Sequence, residues 1–309
     1  MREAFMARLA EYADGGHNVF FVTADLGFSV VEEFRDRFPS RFVNVGVAEQ
    51  LMIGVASGLT SEFERVFAYS IGSFASLRCL EQIRNDVCYH NLSVCIVSVG
   101  AGTMYGTHGF SHYAVEDIAA LRALPNIRVY NPANAVEVSH CLEAIIGTPG
   151  PCYLRLGREQ LADITFTPGS GDPLWSKQKD GSDSNLVVSG SLLTEALEAS
   201  RYLESAGVSV AVYSCPQAWP IDSALIEELG DRPLITLEDH CISGGFGSGL
   251  LEIKSRIGAP SPALLLGYGD VSGGFVGRDA YMRAGAGLSV ESLRNRIFAW
   301  HDSANSPNG

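Results

Sequence analysis

Glu49 is the residue of this chain whose setting most asks for an explanation. It stands in FVNVGVAEQ, residues 42–50: a short apolar strand, a glycine turn, then a glutamate in the first turn of a helix. The continuation from Leu51, LMIGVASGL, is apolar at nearly every position, which predicts a buried helix. A carboxylate at such a junction is expensive to desolvate. Proteins keep one there when a proton has to be held or moved near neutral pH. A second account stays open at this point, since the helix macrodipole favours a glutamate in any first turn.

Other chemistry-bearing residues point less far. The seven cysteines are an odd number, show no CxxC pair and stand mostly in apolar segments, as in SVCIVSVG and VSHCLEA. They read as small buried hydrophobes rather than as a metal or disulfide set. The segment SGGFGSG, from Ser243, has glycines at nucleotide-loop spacing. No strand–helix–strand unit with an acidic partner follows it, so a packing turn is expected.

The 309 residues exceed one small core, and two domains are expected. A hydrophobic fraction of 46% with 18% charged residues is that of a globular protein, and the 33 glycines suit many tight strand-to-helix turns. A net charge of −13 argues against nucleic acid and against anionic membrane surfaces as partners. With no basic-led apolar leader and no apolar run of membrane-spanning length, a cytoplasmic location is the expectation.

Short apolar runs alternate with helical patterns along the chain. NVFFVTADLG, RFVNVG, RVFAYS, LSVCIVSVG and IRVYNP read as strands. REAFMARLAEYADG, AEQLMIGVASGL, SLRCLEQIRNDVCYH, AVEDIAALRAL and NAVEVSHCLEAIIG read as helices between them. Such alternation predicts an α/β fold with a mostly parallel sheet covered on both faces. Residues 167–185 are rich in Gly, Pro, Ser, Asp and Lys and read as a linker. A second alternation follows, from NLVVSGS through PLITLED, so the expectation is two doubly wound α/β domains. Their bounds are 1–166 and 186–302, with a polar tail at 303–309.

The segments TADLGFS, FVNVGVAEQ, EQIRND, GFSHYAVEDIAALRALPNIRVYNP and PCYLRLGRE stand in one order at one set of spacings. Together they resemble the pyrimidine-binding domain of transketolases, over about 160 residues. ITLEDHCISGGFGS is similar to the family's C-terminal domain. A complete transketolase also carries an upstream domain whose GDG…N segment holds Mg²⁺ against thiamine diphosphate, and no GDG occurs here. The resemblance therefore implies the C-terminal half of a split, two-subunit transketolase. Thiamine diphosphate would be shared with an N-terminal partner subunit that holds the Mg²⁺, no metal ligand would come from this chain, and the assembly would be a heterotetramer with homodimeric contacts.

The resemblance also implies roles. Glu49 matches the family glutamate that hydrogen-bonds the cofactor's aminopyrimidine nitrogen, and Asp25 matches an acid that helps seat the cofactor. Phe74, with Ile71 beside it, is expected to form the apolar wall against the pyrimidine. His112, in GFSHYAVED, is similar to the histidine of the family's GPTHQ segment, which moves protons at the donor sugar's first two carbons. Four residues earlier the family usually has Asp, which reads the configuration of a sugar hydroxyl, and this chain has His108. An acceptor has become a ring that can donate, which suggests a different sugar preference. Arg2, Ser29 and Arg158 match substrate-phosphate contacts, a task suited to the planar guanidinium fork.

The implied activity is transfer of a two-carbon ketol unit between sugars or sugar phosphates. Three alternatives share the architecture: a 1-deoxyxylulose-5-phosphate synthase, a 2-oxo-acid dehydrogenase beta subunit, and a non-catalytic subunit that stabilises a partner. The phosphate trio disfavours the second, and a scaffold has no need of both Glu49 and His112. His108 points to a specialised rather than a central pathway.

Overall fold

The computed structural model describes residues 1–158, 174–269 and 276–305. Its first sheet has seven strands: β1 Val19–Thr23, β2 Phe42–Asn44, β3 Arg65–Ile71, β4 Val94–Val99, β5 Arg128–Tyr130, β6 Cys152–Leu156 and, further along the chain, β10 Gln217–Trp219. Their order is β10-β5-β6-β4-β3-β1-β2, parallel throughout except for β10 against β5. Strands β1, β4 and β6 are buried at every residue. Alternate side chains feed two cores. Phe20, Val22, Ile96 and Tyr153 face one, while Phe21, Val97 and Leu154 face the other. That is the period-two geometry of a strand covered on both sides, and it confirms the sequence expectation.

The second sheet consists of β7 Ser176–Lys179, β8 Ser184–Ser189, β9 Val210–Ser214, β11 Leu234–Cys241 and β12 Ala263–Tyr268. The order is β12-β11-β8-β9-β7, parallel apart from the edge strand β7. Within the stretch read as a linker, residues 176–179 thus form an edge strand and Ser184 opens a central one. Residues 167–173 of that stretch lie outside the described residues. Nor do the two sheets divide cleanly at the expected boundary, because β10 comes from the second half of the chain and completes the first sheet. The expected polar tail begins within a helix, Val290–Asn305, and its last four residues lie outside the described set.

Two further expectations are corrected. The helix Glu49–Leu59 is half buried rather than fully buried. Met52, Ile53 and Ala56 pack inward, while Leu51, Gly54 and Gly58 are exposed. Its apolar sequence covers two faces, and only one of them meets this chain. The single helix expected over 76–90 is shorter, beginning with Leu80–Gln82 and continuing as the π-helical stretch Ile83–Cys88. No helix among the described residues is long and apolar enough to cross a membrane.

The two halves are joined by a buried ionic cluster. Arg155, on β6, is fully buried and donates from Nε to Asp117 Oδ2 at 2.9 Å. It also meets the Asp239 carboxylate and the Ala114 carbonyl, and its Nη2 donates to the Asp239 carbonyl at 3.0 Å. Asp239 in turn accepts from Ser191 Oγ at 2.7 Å, which accepts from Arg283 at the same distance. A buried carboxylate pair without that guanidinium would be untenable, since each isolated ion costs several kcal/mol to desolvate.

Candidate active site

The loops leaving the carboxyl ends of the parallel strands carry the candidate residues, where open α/β sheets place their ligand sites. Asp25 and Ser29 follow β1, Glu49 follows β2, Ile71 ends β3 and Phe74 follows it, His108 and His112 follow β4, and Arg158 follows β6. Arg2 opens the helix Arg2–Asp14, which runs back toward the start of β1, so its first turn returns to the same edge. There the charge of Arg2 works against the burial that raises the pKa of the Tyr69 hydroxyl.

Glu49 is 4% exposed at the start of its helix. The preceding turn is fixed by Asn44, whose Oδ1 accepts from the backbone N–H groups of both Asp25 and Gly46 at 2.9 Å. Asn44 Nδ2 donates to Asp25 Oδ1 at 3.2 Å, so one side chain ties the Asp25 loop to the Glu49 turn. Asp25 and Ser29 both have positive φ, 52° and 65°, and both are exposed. Left-handed backbone at two non-glycine residues is a local strain characteristic of ligand loops.

The Glu49 carboxylate has a partner that no local pattern announces. Arg78 Nη1 donates to Glu49 Oε2 at 2.7 Å, and the same guanidinium carbon lies 4.2 Å from the centroid of the Phe74 ring. The other side of this patch is imidazole. The His112 ring meets Phe74 edge-on at 5.1 Å, and the His108 ring lies 5.1 Å from that of His112. Carboxylate, guanidinium, aromatic ring and two imidazoles thus form one continuous surface. Ile71 is part-buried at the end of β3, beside it in sequence.

Both histidines sit on a loop closed by the backbone. Gly102 and Ala114 exchange hydrogen bonds at 3.0 and 2.9 Å and so clamp the ends of residues 103–113, which form two short 3₁₀ turns. Ser73 Oγ donates to the Ser111 carbonyl at 2.8 Å and holds this loop to the turn carrying Phe74. Gly72 is required for the approach, because a Cβ there would lie 2.7 Å from that of Ala114. His112 Nδ1 is 3.0 Å from Ser111 Oγ. Burial, with smaller contributions from His108 and Arg78, lowers the pKa of His112 and favours its neutral, proton-accepting form.

The phosphate candidates are more dispersed. Ser29 donates its N–H to Glu32 Oε1 at 2.9 Å. It lines a hollow of about 580 Å³ with Glu3, Met6, Glu32 and Phe34. Arg158 is exposed beyond β6, three strand spacings from β1, or roughly 14 Å at the usual interstrand distance. Ser29 thus shares its hollow with Glu3, the residue after Arg2, while Arg158 stands apart on the same edge. The glycine-rich turn near Ser243 carries a different acid. Glu238 accepts from the N–H groups of Phe246 and Gly247 at 2.7 and 3.0 Å, occupying the helix N-terminus that a phosphate would need. Among the described residues no cluster of three or more potential ligands could hold a metal ion.

Large apolar side chains are exposed all around the patch: Phe28 next to Ser29, Val47 and Leu51 on either side of Glu49, Leu77 next to Arg78, and Phe110 near His112. Water-facing apolar groups of this size grouped around one site mark an interaction or ligand-binding surface.

A parallel-sheet domain with this carboxyl-edge patch, followed by a second α/β sheet, defines a class. Residues 1–163 match the family described as transketolase, pyrimidine binding domain, and residues 175–274 match transketolase, C-terminal domain. The chain belongs to the transketolase family. It is similar to the putative transketolase C-terminal section of Methanocaldococcus jannaschii, 36% identical over 306 residues, which are 96% of this chain and 95% of that one. An apulose-4-phosphate transketolase subunit of Actinobacillus succinogenes is 32% identical over 270 residues, 85% of this chain and 86% of that protein. A solved structure described as a split gene transketolase, inactive beta4 tetramer, superposes with a TM-score of 0.86 at 32% identity, covering 98% of this chain and 97% of that one.

Proposed function

We propose that this chain is the C-terminal subunit of a two-component, thiamine-diphosphate-dependent transketolase. It moves a two-carbon ketol unit from a ketose or ketose phosphate to an aldose acceptor, and it is active only with an N-terminal subunit. That partner carries the GDG…N segment and the Mg²⁺, and covers the apolar surface around Glu49. The observation that supports the reading is one patch in which a buried carboxylate, an aromatic ring and an imidazole meet at the carboxyl edge of the sheet.

The donor set fits the pyrimidine half of the cofactor. A planar nitrogen-rich group already lies against both Glu49 and Phe74 in the form of the Arg78 guanidinium. When bound, thiamine diphosphate supplies the carbon nucleophile that takes up the two-carbon fragment and passes it to the acceptor. In this reading Glu49 holds the pyrimidine nitrogen and shares a proton with it. Phe74 and Ile71 exclude water from the ring face, and Asp25, tied to the Glu49 turn through Asn44, fixes the loop beside it. His112, kept neutral by its surroundings, takes and returns protons at the sugar hydroxyls, and His108 reads the hydroxyl configuration. Arg2, Ser29 and Arg158 hold the phosphate end of the substrate.

The test is Glu49→Gln in the reconstituted subunit pair. Loss of a positioned general acid–base group is expected to lower turnover by roughly 10²–10⁴-fold. Unchanged turnover would remove the catalytic reading and favour the scaffold alternative.

A further inference from the structure

One side chain touches both groups assigned to the cofactor's pyrimidine. Arg78 Nη1 donates to Glu49 Oε2 at 2.7 Å while its guanidinium lies over the Phe74 ring at 4.2 Å. A guanidinium is planar, delocalised and bears N–H donors in its plane, so it offers an edge to a carboxylate and a face to an aromatic ring. An aminopyrimidine offers the same two things. The two groups therefore compete for one place.

The surroundings make that place easy to vacate. The Glu49 side chain is 4% exposed and fixed at its helix start, whereas the Arg78 side chain is 45% exposed. The Arg78 backbone is anchored independently: its N–H donates to the Ser73 carbonyl at 3.2 Å, and its carbonyl accepts from Gln50 Nε2 at 3.3 Å. Rotation of the side chain alone would free both Glu49 and Phe74, with no backbone rearrangement.

We propose that Arg78 is a removable placeholder: it closes on Glu49 and Phe74 in the cofactor-free subunit and swings out when the pyrimidine enters. The closed arrangement neutralises a buried carboxylate that would otherwise stand alone before the partner subunit and cofactor arrive. It also weakens cofactor binding by the fraction of time that the site is open. A half-exposed ion pair plus one cation–π contact is modest, so closure is expected to cost roughly tenfold in apparent affinity. This inference rests on the assignment of Glu49 and Phe74 to the pyrimidine.

The experiment measures binding rather than turnover. Thiamine diphosphate affinity of the reconstituted pair is determined by calorimetry for the wild type, Arg78→Ala and Arg78→Met, the last retaining the side-chain stem over Phe74. In parallel, NMR follows 4-amino-5-hydroxymethyl-2-methylpyrimidine binding to the full-length chain alone. Both Arg78 variants are expected to bind each probe roughly tenfold more tightly. Unchanged affinity would overturn the proposal, and weaker affinity would overturn it by making Arg78 a ligand contact. Glu49→Gln is the control that separates the two readings, and it is expected to weaken binding of both probes. If it leaves binding and turnover unchanged, the cofactor assignment fails and the placeholder fails with it. If it weakens binding while the Arg78 variants change nothing, only the placeholder fails.

Discussion

Arg155 and Asp117 face each other at 2.9 Å with neither side chain exposed to solvent, and Asp239 closes on the same guanidinium from the second sheet. The cluster joins the strand that leads to Arg158 to the strand that crosses the second unit. The Tyr153 hydroxyl adds a further hydrogen bond to Asp117.

Arg155→Ala leaves two buried carboxylates facing each other without compensation. Destabilisation of about 3–5 kcal/mol is expected. Arg155→Lys is expected to recover only part of it, because one ammonium cannot reach both carboxylates and the two carbonyls that the fork now serves. Urea unfolding of the two variants checks this, and a loss below about 1 kcal/mol for Arg155→Ala would show the cluster to be dispensable.

Glu137 is fully buried, accepting from the Ala133 N–H at 2.7 Å and from the Ser214 hydroxyl of the second sheet. Burial pushes its pKa up to about 7. The folded protein therefore holds a proton, between the ordinary carboxylate range and pH 7, that the unfolded chain has released. Its contribution to stability is full at pH 4.5 and below, falls as the pH rises, and is gone above about 7. Glu137→Gln keeps both hydrogen bonds, since the Ser214 hydroxyl can also accept. It is expected to flatten the fall in unfolding free energy between pH 5 and 7.5 by an amount on the order of 1–3 kcal/mol. Glu238, also raised to about 7, acts in the same direction, and His240, lowered to about 4, acts in the opposite one. The readout is accordingly the difference between variant and wild type in denaturant titrations at the two pH values.

The His108 ring lies 5.1 Å from that of His112, and the proposed function gives it the reading of a sugar hydroxyl. His108→Asp is expected to shift the ratio of kcat/KM between two ketose donors that differ only in the configuration of one hydroxyl by tenfold or more, about 1.4 kcal/mol. It also replaces a neighbour that lowers the His112 pKa with one that raises it. The His112 midpoint, followed by NMR, should rise. A constant substrate ratio would remove His108 from substrate recognition, and a constant midpoint would contradict the electrostatic contact.

The strands β1 to β5 were legible because each is a short, mostly apolar run with turn residues beside it, whereas β6, CYLRL, was not read as a strand. The motifs fell at the ends of those strands for the same reason. Glu49 could therefore be named from local sequence, and His108 and His112 from the resemblance of GFSHYAVED to a family segment. Arg78 could not. Its segment, SLRCLEQIRNDV, reads as one amphipathic helix, and nothing in it says that the backbone turns at Ser76 and aims a guanidinium at a carboxylate 29 residues earlier. Asn44 was not singled out, although a polar residue just before a glycine turn was a usable signal. Strand β10 was missed because QAW is too short to show a period, and its pairing is decided by packing against β5.

Periodicity within a few residues was enough to set the alternation of strands and helices, while the family came from the resemblance of the ordered motifs to known segments. What each side chain meets was left to the folded chain. The Glu49–Arg78–Phe74 contact, the Gly72–Ala114 approach that brings His112 to Phe74, and the Arg155 cluster all join segments far apart in the chain. Such contacts are selected by close packing and by the cost of leaving buried charge unpaired, and neither quantity exists until the segments are brought together.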